Sequence, residues 1–150
     1  MAALDCGPNQ LDGINKLAKL YFRYGAMGSA KTLNLLAVRH NYEAQGKKVM
    51  LLKPSVDTRF GNETVRSRAG LEHKADLLLG PGAKLDPETF EGVSCILVDE
   101  CQFLSSDAID DLREITRSQG IPVIAYGLRT DFQAQLFEGS KRLMELADSI

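Results

Sequence analysis

The chain has 150 residues, with 18 Lys and Arg against 20 Asp and Glu and a hydrophobic fraction of 44%. That length suits one compact domain able to bury its own core without covalent staples. The near-neutral balance excludes a chain built mainly to coat nucleic acid or an anionic membrane, but leaves room for a small basic pocket that takes phosphates.

The N-terminus is polar, carries Gly7, Pro8 and Gly13, and lacks the basic start and apolar stretch of a secretory signal. Residues 1–16 are therefore expected to form a mobile arm ahead of a single domain at 17–150. No apolar run is long enough to span a bilayer, so a cytoplasmic protein is the expectation. Residues 19–24, Lys-Leu-Tyr-Phe-Arg-Tyr, read as a short aromatic strand. A loop follows, then a helix over 31–45 with Leu33, Leu36 and Ala37 on one face and Gly46 as its stop.

Val49-Met-Leu-Leu-Lys53 reads as a second strand, ended by Pro54. Residues 55–74 are polar, contain Arg59, Arg66 and Arg68, and are expected to form a long mobile loop. Residues 75–79 read as a third strand, and the Gly80-Pro-Gly82 and Asp86-Pro-Glu88 segments interrupt the chain before Phe90. Cys95-Ile-Leu-Val98 is a continuous apolar run, the pattern of a strand buried on both faces. Ser105 or Ser106 then caps a helix with Asp107 in its first turn, Ile109, Leu112 and Ile115 at helical spacing, and Gly120 at its end. Residues 123–126 read as another strand and residues 140–147 as a final helix. Strands alternating with helices predict an α/β fold, a mainly parallel sheet covered by helices. The three cysteines, Cys6, Cys95 and Cys101, form no CxxC pair, so neither a disulfide framework nor a zinc site is legible. Cys95 is expected in the core and Cys101 half-exposed, with no neighbouring histidine to activate either.

Between the first strand and the first helix lies Gly25-Ala-Met-Gly-Ser-Ala30-Lys31-Thr32. Strand, glycine-containing loop, Lys-Thr and helix, in that order, is the setting of a P-loop. Backbone N–H groups of Gly25, Ala26, Met27, Gly28, Ser29 and Ala30 are expected to cradle the phosphates of ATP, helped by the positive end of the helix. Lys31 reaches the terminal phosphates and the Thr32 hydroxyl holds Mg²⁺. One position departs from the usual pattern: Ala30 stands where a glycine normally precedes the lysine, and its effect depends on the local φ.

A second carboxylate site appears at Val98-Asp99-Glu100, at the end of the buried strand, where ligands bind in such sheets. Asp99 is expected to orient Mg²⁺ and Glu100 to accept a proton, with Cys101 and Gln102 completing the acidic box on the ATP side. The motif leaves open whether the activated group is a water or a substrate hydroxyl.

The run Leu20-Tyr-Phe-Arg-Tyr-Gly-Ala-Met-Gly-Ser-Ala-Lys-Thr32 resembles the opening of thymidine kinases of the bacterial and cytosolic vertebrate type. The likeness continues through His40-Asn-Tyr-Glu43, Leu52-Lys-Pro54, Asp57-Thr-Arg59, Asp99-Glu-Cys-Gln-Phe103, Tyr126-Gly-Leu-Arg-Thr-Asp-Phe132 and Leu136-Phe-Glu-Gly139, and so spans nearly the whole chain. The resemblance implies a RecA-like P-loop NTPase fold and transfer of the ATP γ-phosphoryl group to the 5′-hydroxyl of thymidine or deoxyuridine. It makes Glu100 the base, assigns Asp99 and Thr32 to Mg²⁺ and Lys31 to the phosphates, and puts Met27, Phe103 and Phe132 in the nucleoside pocket. Arg59, with Asp57 beside it, falls near the reacting phosphates.

The alternatives are that Phe103 and Phe132 are plain core aromatics, Arg59 a solvated loop charge, and His40 a structural hydrogen-bonding group. The family also implies a homo-tetramer, no membrane and no stable nucleic-acid binding. It implies zinc in a C-terminal ribbon with paired cysteines, and a loop closing over the thymine base. The sequence as given stops at Asp148-Ser-Ile150 without those zinc ligands, so a fragment or a degenerate relative with an open pocket is expected. Two other functions remain alternatives. Asp99-Glu-Cys-Gln102 also resembles the acidic box of DNA-dependent ATPases, although no basic stripe with interleaved aromatics accompanies it. Ala30 and the absent closing segment suit a non-catalytic nucleotide-binding module.

Overall fold

In the computed structural model, which describes residues 18–25, 30–55, 64–66 and 72–150, one five-stranded parallel sheet organises the chain. Its strands are β1 (Leu20–Tyr24), β2 (Val49–Pro54), β5 (Leu77–Leu79), β6 (Cys95–Val98) and β7 (Val123–Gly127), side by side in the order β1-β7-β6-β2-β5. The helices are α1 (Lys31–Ala44), α2 (Ser106–Gln119) and α3 (Glu138–Leu146). Three-residue strands β3 (Thr64–Arg66) and β4 (Glu72–Lys74) make a separate antiparallel pair. The expected arm at 1–16 lies outside the described residues. Among those described, no helix is long and apolar enough to cross a membrane.

Parallel strands covered on both faces must be apolar on both, and β6 is buried at all four positions. Its side chains alternate between two cores. Ile96 and Val98 join Leu20, Phe22, Phe90 and the buried faces of α2 and α3, whereas Cys95 and Leu97 join Leu35 of α1, Val49, Leu51, Val65 and Tyr126. The helix α2 forms as its sequence predicts. Ser105 caps it by accepting from the Ala108 N–H at 3.2 Å, Ile109, Leu112 and Ile115 are buried, and Gly120 ends it at φ +67°.

Helix α1 differs from expectation in the face it buries. Leu35 and Arg39 are its buried residues, while Leu33 and Leu36 are half-buried and Ala37 is exposed. A buried arginine needs a partner. Arg39 Nη1 finds Asp76 Oδ2 at 2.8 Å, and the same oxygen accepts the Leu51 N–H at 2.7 Å. That pair holds Arg39 on the buried face of the helix beside Leu35, with Leu36 packed at its margin. Burial of Leu35 contributes roughly 1.5–3 kcal/mol to the docking of the helix, which Leu35→Ala would remove.

The expected loop at 55–74 is also corrected in part. Its described residues pair as β3 and β4, with Val65 fully buried and the Lys53 ammonium donating to the Thr64 carbonyl at 2.7 Å. At the opposite border of the sheet the chain end covers β1. The Phe22 N–H donates to the Ser149 carbonyl at 2.9 Å and the Asp148 N–H to the Leu20 carbonyl at 2.8 Å, so the edge is not left as an open template.

Candidate active site

All strands of a parallel sheet end on one border, and that border is where the motifs meet. β1 runs into Gly25, β6 into Asp99 and Glu100, and β7 into Gly127. The Gly25 N–H donates to the Gly127 carbonyl at 3.2 Å, which ties the start of the P-loop to the end of β7. Ala26, Met27, Gly28, Ser29, Asp57 and Arg59 lie outside the described residues.

On the far side of the loop, Ala30 precedes α1 with φ −82° and ψ 29°, and its carbonyl accepts the Asn34 N–H at 2.9 Å. That φ is open to any L-residue, so alanine in place of glycine brings no backbone strain. Lys31 and Thr32 open the helix, half-buried, at its positive end.

The acidic pair is held differently at each residue. Asp99 continues the sheet, its N–H donating to the Leu52 carbonyl at 2.9 Å, and only 6% of it is exposed. Glu100 then takes the left-handed conformation, φ 54° and ψ 41°. For a residue with a Cβ this costs roughly 1–2 kcal/mol and persists only where the surroundings impose it. The surroundings here are a 3-10 turn, Cys101–Phe103, in which the Phe103 N–H donates to the Glu100 carbonyl at 3.2 Å.

Behind Glu100 the packing is close. Gln102 is 2% exposed; its Nε2 donates to Glu100 Oε2 at 2.5 Å and its Oε1 accepts the Leu128 N–H at 3.1 Å. Gly139, at the start of α3, lies against the Cys101 carbonyl, and the buried Ser140 hydroxyl donates to the Leu128 carbonyl. Cys101 is fully buried rather than half-exposed. Burial pushes its thiol well above the ordinary cysteine range, the charges of Asp99 and Glu100 push the same way, and Lys31 acts in the opposite sense. The P-loop lysine and the acidic pair therefore share one electrostatic neighbourhood. Neither Cys101 nor Gln102, grouped with the ATP side by sequence, offers surface to a nucleotide in this conformation.

Beyond β7 the segment 128–137 folds back on itself. Asp131 Oδ1 accepts the N–H groups of Gln133 at 2.8 Å and Gln135 at 3.0 Å, and Thr130 bridges to Leu136. This brace carries Phe132 outward, 95% exposed, and returns the chain at Phe137. Phe137 meets Phe103 edge to face, centroids 5.5 Å apart, and Arg129 stacks its guanidinium over Tyr24 at 5.5 Å. Tyr24, Gly25, Arg129, Phe132 and Phe137 help to line a cavity of about 520 Å³. A second, of about 640 Å³, takes in Arg23, Ala30, Lys31 and Asn34, and both are bordered by Tyr24 and Gly25.

With 44% and 95% exposure, Phe103 and Phe132 are not core aromatics. His40 is exposed on α1, away from these groups. Phe137, Tyr24 and the Gln102–Leu128 link have no counterpart in the sequence reading; the aromatic run 20–24 and the phenylalanine of Leu136-Phe-Glu-Gly139 were the available signals.

The chain is similar to known proteins over the segment that carries these features. The family model for thymidine kinase matches residues 18–150. The thymidine kinase of Lactobacillus johnsonii is 45% identical over 144 residues, 89% of this chain and 72% of that protein. The thymidine kinase of Encephalitozoon cuniculi is 47% identical over 132 residues, 87% of this chain and 62% of that protein. Among solved structures, domain III of the Thermotoga maritima replication initiation protein DnaA gives a TM-score of 0.48 at 18% identity, over 96% of this chain and 62% of that one.

Proposed function

The chain belongs to the thymidine kinase family, and on that premise we infer that it transfers the γ-phosphoryl group of ATP to the 5′-hydroxyl of thymidine or deoxyuridine, giving the 5′-monophosphate for nucleotide salvage. The observation that carries the assignment of roles is the placement of Glu100. Its backbone is held left-handed at the end of β6, its carboxylate accepts a hydrogen bond from Gln102, and it lies on the sheet border where β1 runs into Gly25 and β7 into Gly127.

Glu100 takes the proton of the 5′-hydroxyl as that oxygen attacks phosphorus. Lys31 and the N-terminal end of α1 stabilise charge on the transferred group, and Arg59 assists. Met27, Phe103 and Phe132 hold the nucleoside, joined by Phe137; aromatic faces and a dry slot suit a methylated pyrimidine. The hydroxyl of Thr32 and the carboxylate of Asp99 are hard oxygen donors of the kind Mg²⁺ takes alongside substrate phosphates. Bound there, Mg²⁺ neutralises phosphate charge. Among the described residues no group of three or more His, Cys, Asp or Glu is placed to hold a metal ion. A homo-tetramer in the cytoplasm is the assembly and location that the family likeness supports.

The test is nucleoside-dependent ADP formation. Thymidine is expected to stimulate it, and Glu100→Gln to lower the stimulated rate about 10²–10⁴-fold while ATP binding persists. A Glu100→Gln protein that keeps its rate within a few-fold, or stimulation by DNA in place of thymidine, overturns this reading.

A further inference from the structure

We propose that Gln102 is the positioning residue for Glu100, and that it couples the base to the segment lining the aromatic cavity. The proposal rests on the assignment of Glu100 as base. Gln102 is buried, and both ends of its amide are used within the protein. The amide orientation follows from its partners: the Leu128 N–H requires an acceptor, so Oε1 faces it and Nε2 faces Glu100 at 2.5 Å.

Leu128 is the first residue after β7 and begins the segment that supplies Arg129, Phe132 and Phe137 to the cavity. One buried side chain therefore spans from the left-handed Glu100 to the root of that segment. The link has no room to shift. A Cβ on Gly127 would overlap Gln102 Oε1, and one on Gly139 would stand 3.2 Å from the Gln102 carbonyl, so both glycines are pressed against the turn. A carboxylate held by one hydrogen bond in a packed corner keeps a single rotamer, which is what a base aimed at one hydroxyl needs. Without Gln102, Glu100 stays in the chain but loses its fixed direction, and a nucleoside settling against Phe132 and Phe137 no longer finds the base in register.

The experiment is a double-mutant cycle on steady-state kinetics in the full chain, with Gln102→Met, Glu100→Gln and the pair together. Gln102→Met is expected to lower kcat about 10–100-fold with the KM values for thymidine and ATP within about three-fold, because it removes orientation and not binding. In the Glu100→Gln background the same change is expected to leave the residual rate within two-fold, since there is no base left to position. A merely structural role would multiply the loss equally in both backgrounds, and that result overturns the proposal. So does an unchanged kcat in Gln102→Met, or a loss confined to the KM for ATP. If Gln102→Met does not melt as a folded protein, Gln102→Asn replaces it; its amide is one methylene too short to reach both partners, and the same outcomes apply. Retention of full activity by Glu100→Gln alone would instead remove the assignment of the base, a failure distinguishable from that of Gln102.

Discussion

Gly127 and Gln102 touch so closely that no side chain fits between them. A Cβ at residue 127 would overlap Gln102 Oε1 and stand 2.7 Å from Cys101 Sγ and 3.1 Å from the Cys101 nitrogen. All three of those atoms belong to the turn that follows Glu100, so a methyl group there has only that turn to displace. Gly127→Ala is expected to cost about 1–3 kcal/mol, the usual penalty of overpacking, visible as a fall of several degrees in Tm. It is also expected to lower kcat more than ten-fold, because Gln102 gives way first. A variant that melts with the parent and keeps its kcat would show that the turn yields freely.

Phe132 and Phe137 sit on the same segment and separate binding from stability. Phe132 is 95% exposed, whereas Phe137 is half-buried against Phe103. Phe132→Ala is expected to leave Tm unchanged and raise the KM for thymidine about ten-fold, without moving the KM for ATP, in keeping with loss of one aromatic contact. Phe137→Ala is expected to lower both Tm and affinity for thymidine. Equal effects of Phe132→Ala on both substrates would remove it from the nucleoside side.

What the sequence disclosed depended on how local the cause was. The apolar run of β6, the Ser105 cap and the Ile109, Leu112 and Ile115 spacing of α2 are signals within a few residues, and each element formed where it was expected. The buried face of α1 was hidden because Arg39 is neutralised by Asp76, 37 positions away. The β3–β4 pair was hidden because Val65 is its one fully buried apolar anchor among charged neighbours, too little for a period to show. The site divides in the same way. Lys31, Thr32, Asp99 and Glu100 announce themselves by motif. The direction of the Gln102 amide is set by Leu128, 26 positions on, and the role of Phe137 only appears once its segment folds back onto Phe103.

Cys95 and Cys101 are both fully buried, and burial holds both thiols protonated, Cys95 up to about 11 despite a hydrogen bond with Tyr42. At pH 8 such a thiol is ionised in only about one molecule in a thousand, and the thiolate is the reactive form. In a Cys6→Ser protein, an aromatic disulfide reagent is therefore expected to titrate no thiol in the native state and two after denaturation in guanidinium. A native-state reaction as fast as that of free cysteine would mean that β6 or the turn after it opens readily.

The chain end supplies a pH-dependent clamp on β1. The Asp148 carboxylate takes both terminal nitrogens of Arg113, with Nη2 at 2.9 Å, and accepts the Leu20 N–H at 2.9 Å. The Arg113 hydrogen bonds, more than the backbone bond from Leu20, hold the carboxyl below the usual aspartate range, against a smaller opposing effect of burial. A group whose pKa is lower in the folded chain than in the unfolded one stabilises the fold above the unfolded value, about 3.9 for aspartate. That stabilisation fades as pH falls through the folded value. The Asp148 side chain is 30% exposed, so screening limits the effect, and Asp148→Asn is expected to cost only about 1 kcal/mol at pH 7, or roughly 2–4 °C in Tm. The gap between the two proteins should be constant from pH 7 to 5, shrink below pH 4 and close once the parent carboxyl is protonated. It should also narrow in high salt. A gap that persists unchanged to pH 3 would assign the contribution of Asp148 to its backbone contacts with β1 instead of its charge.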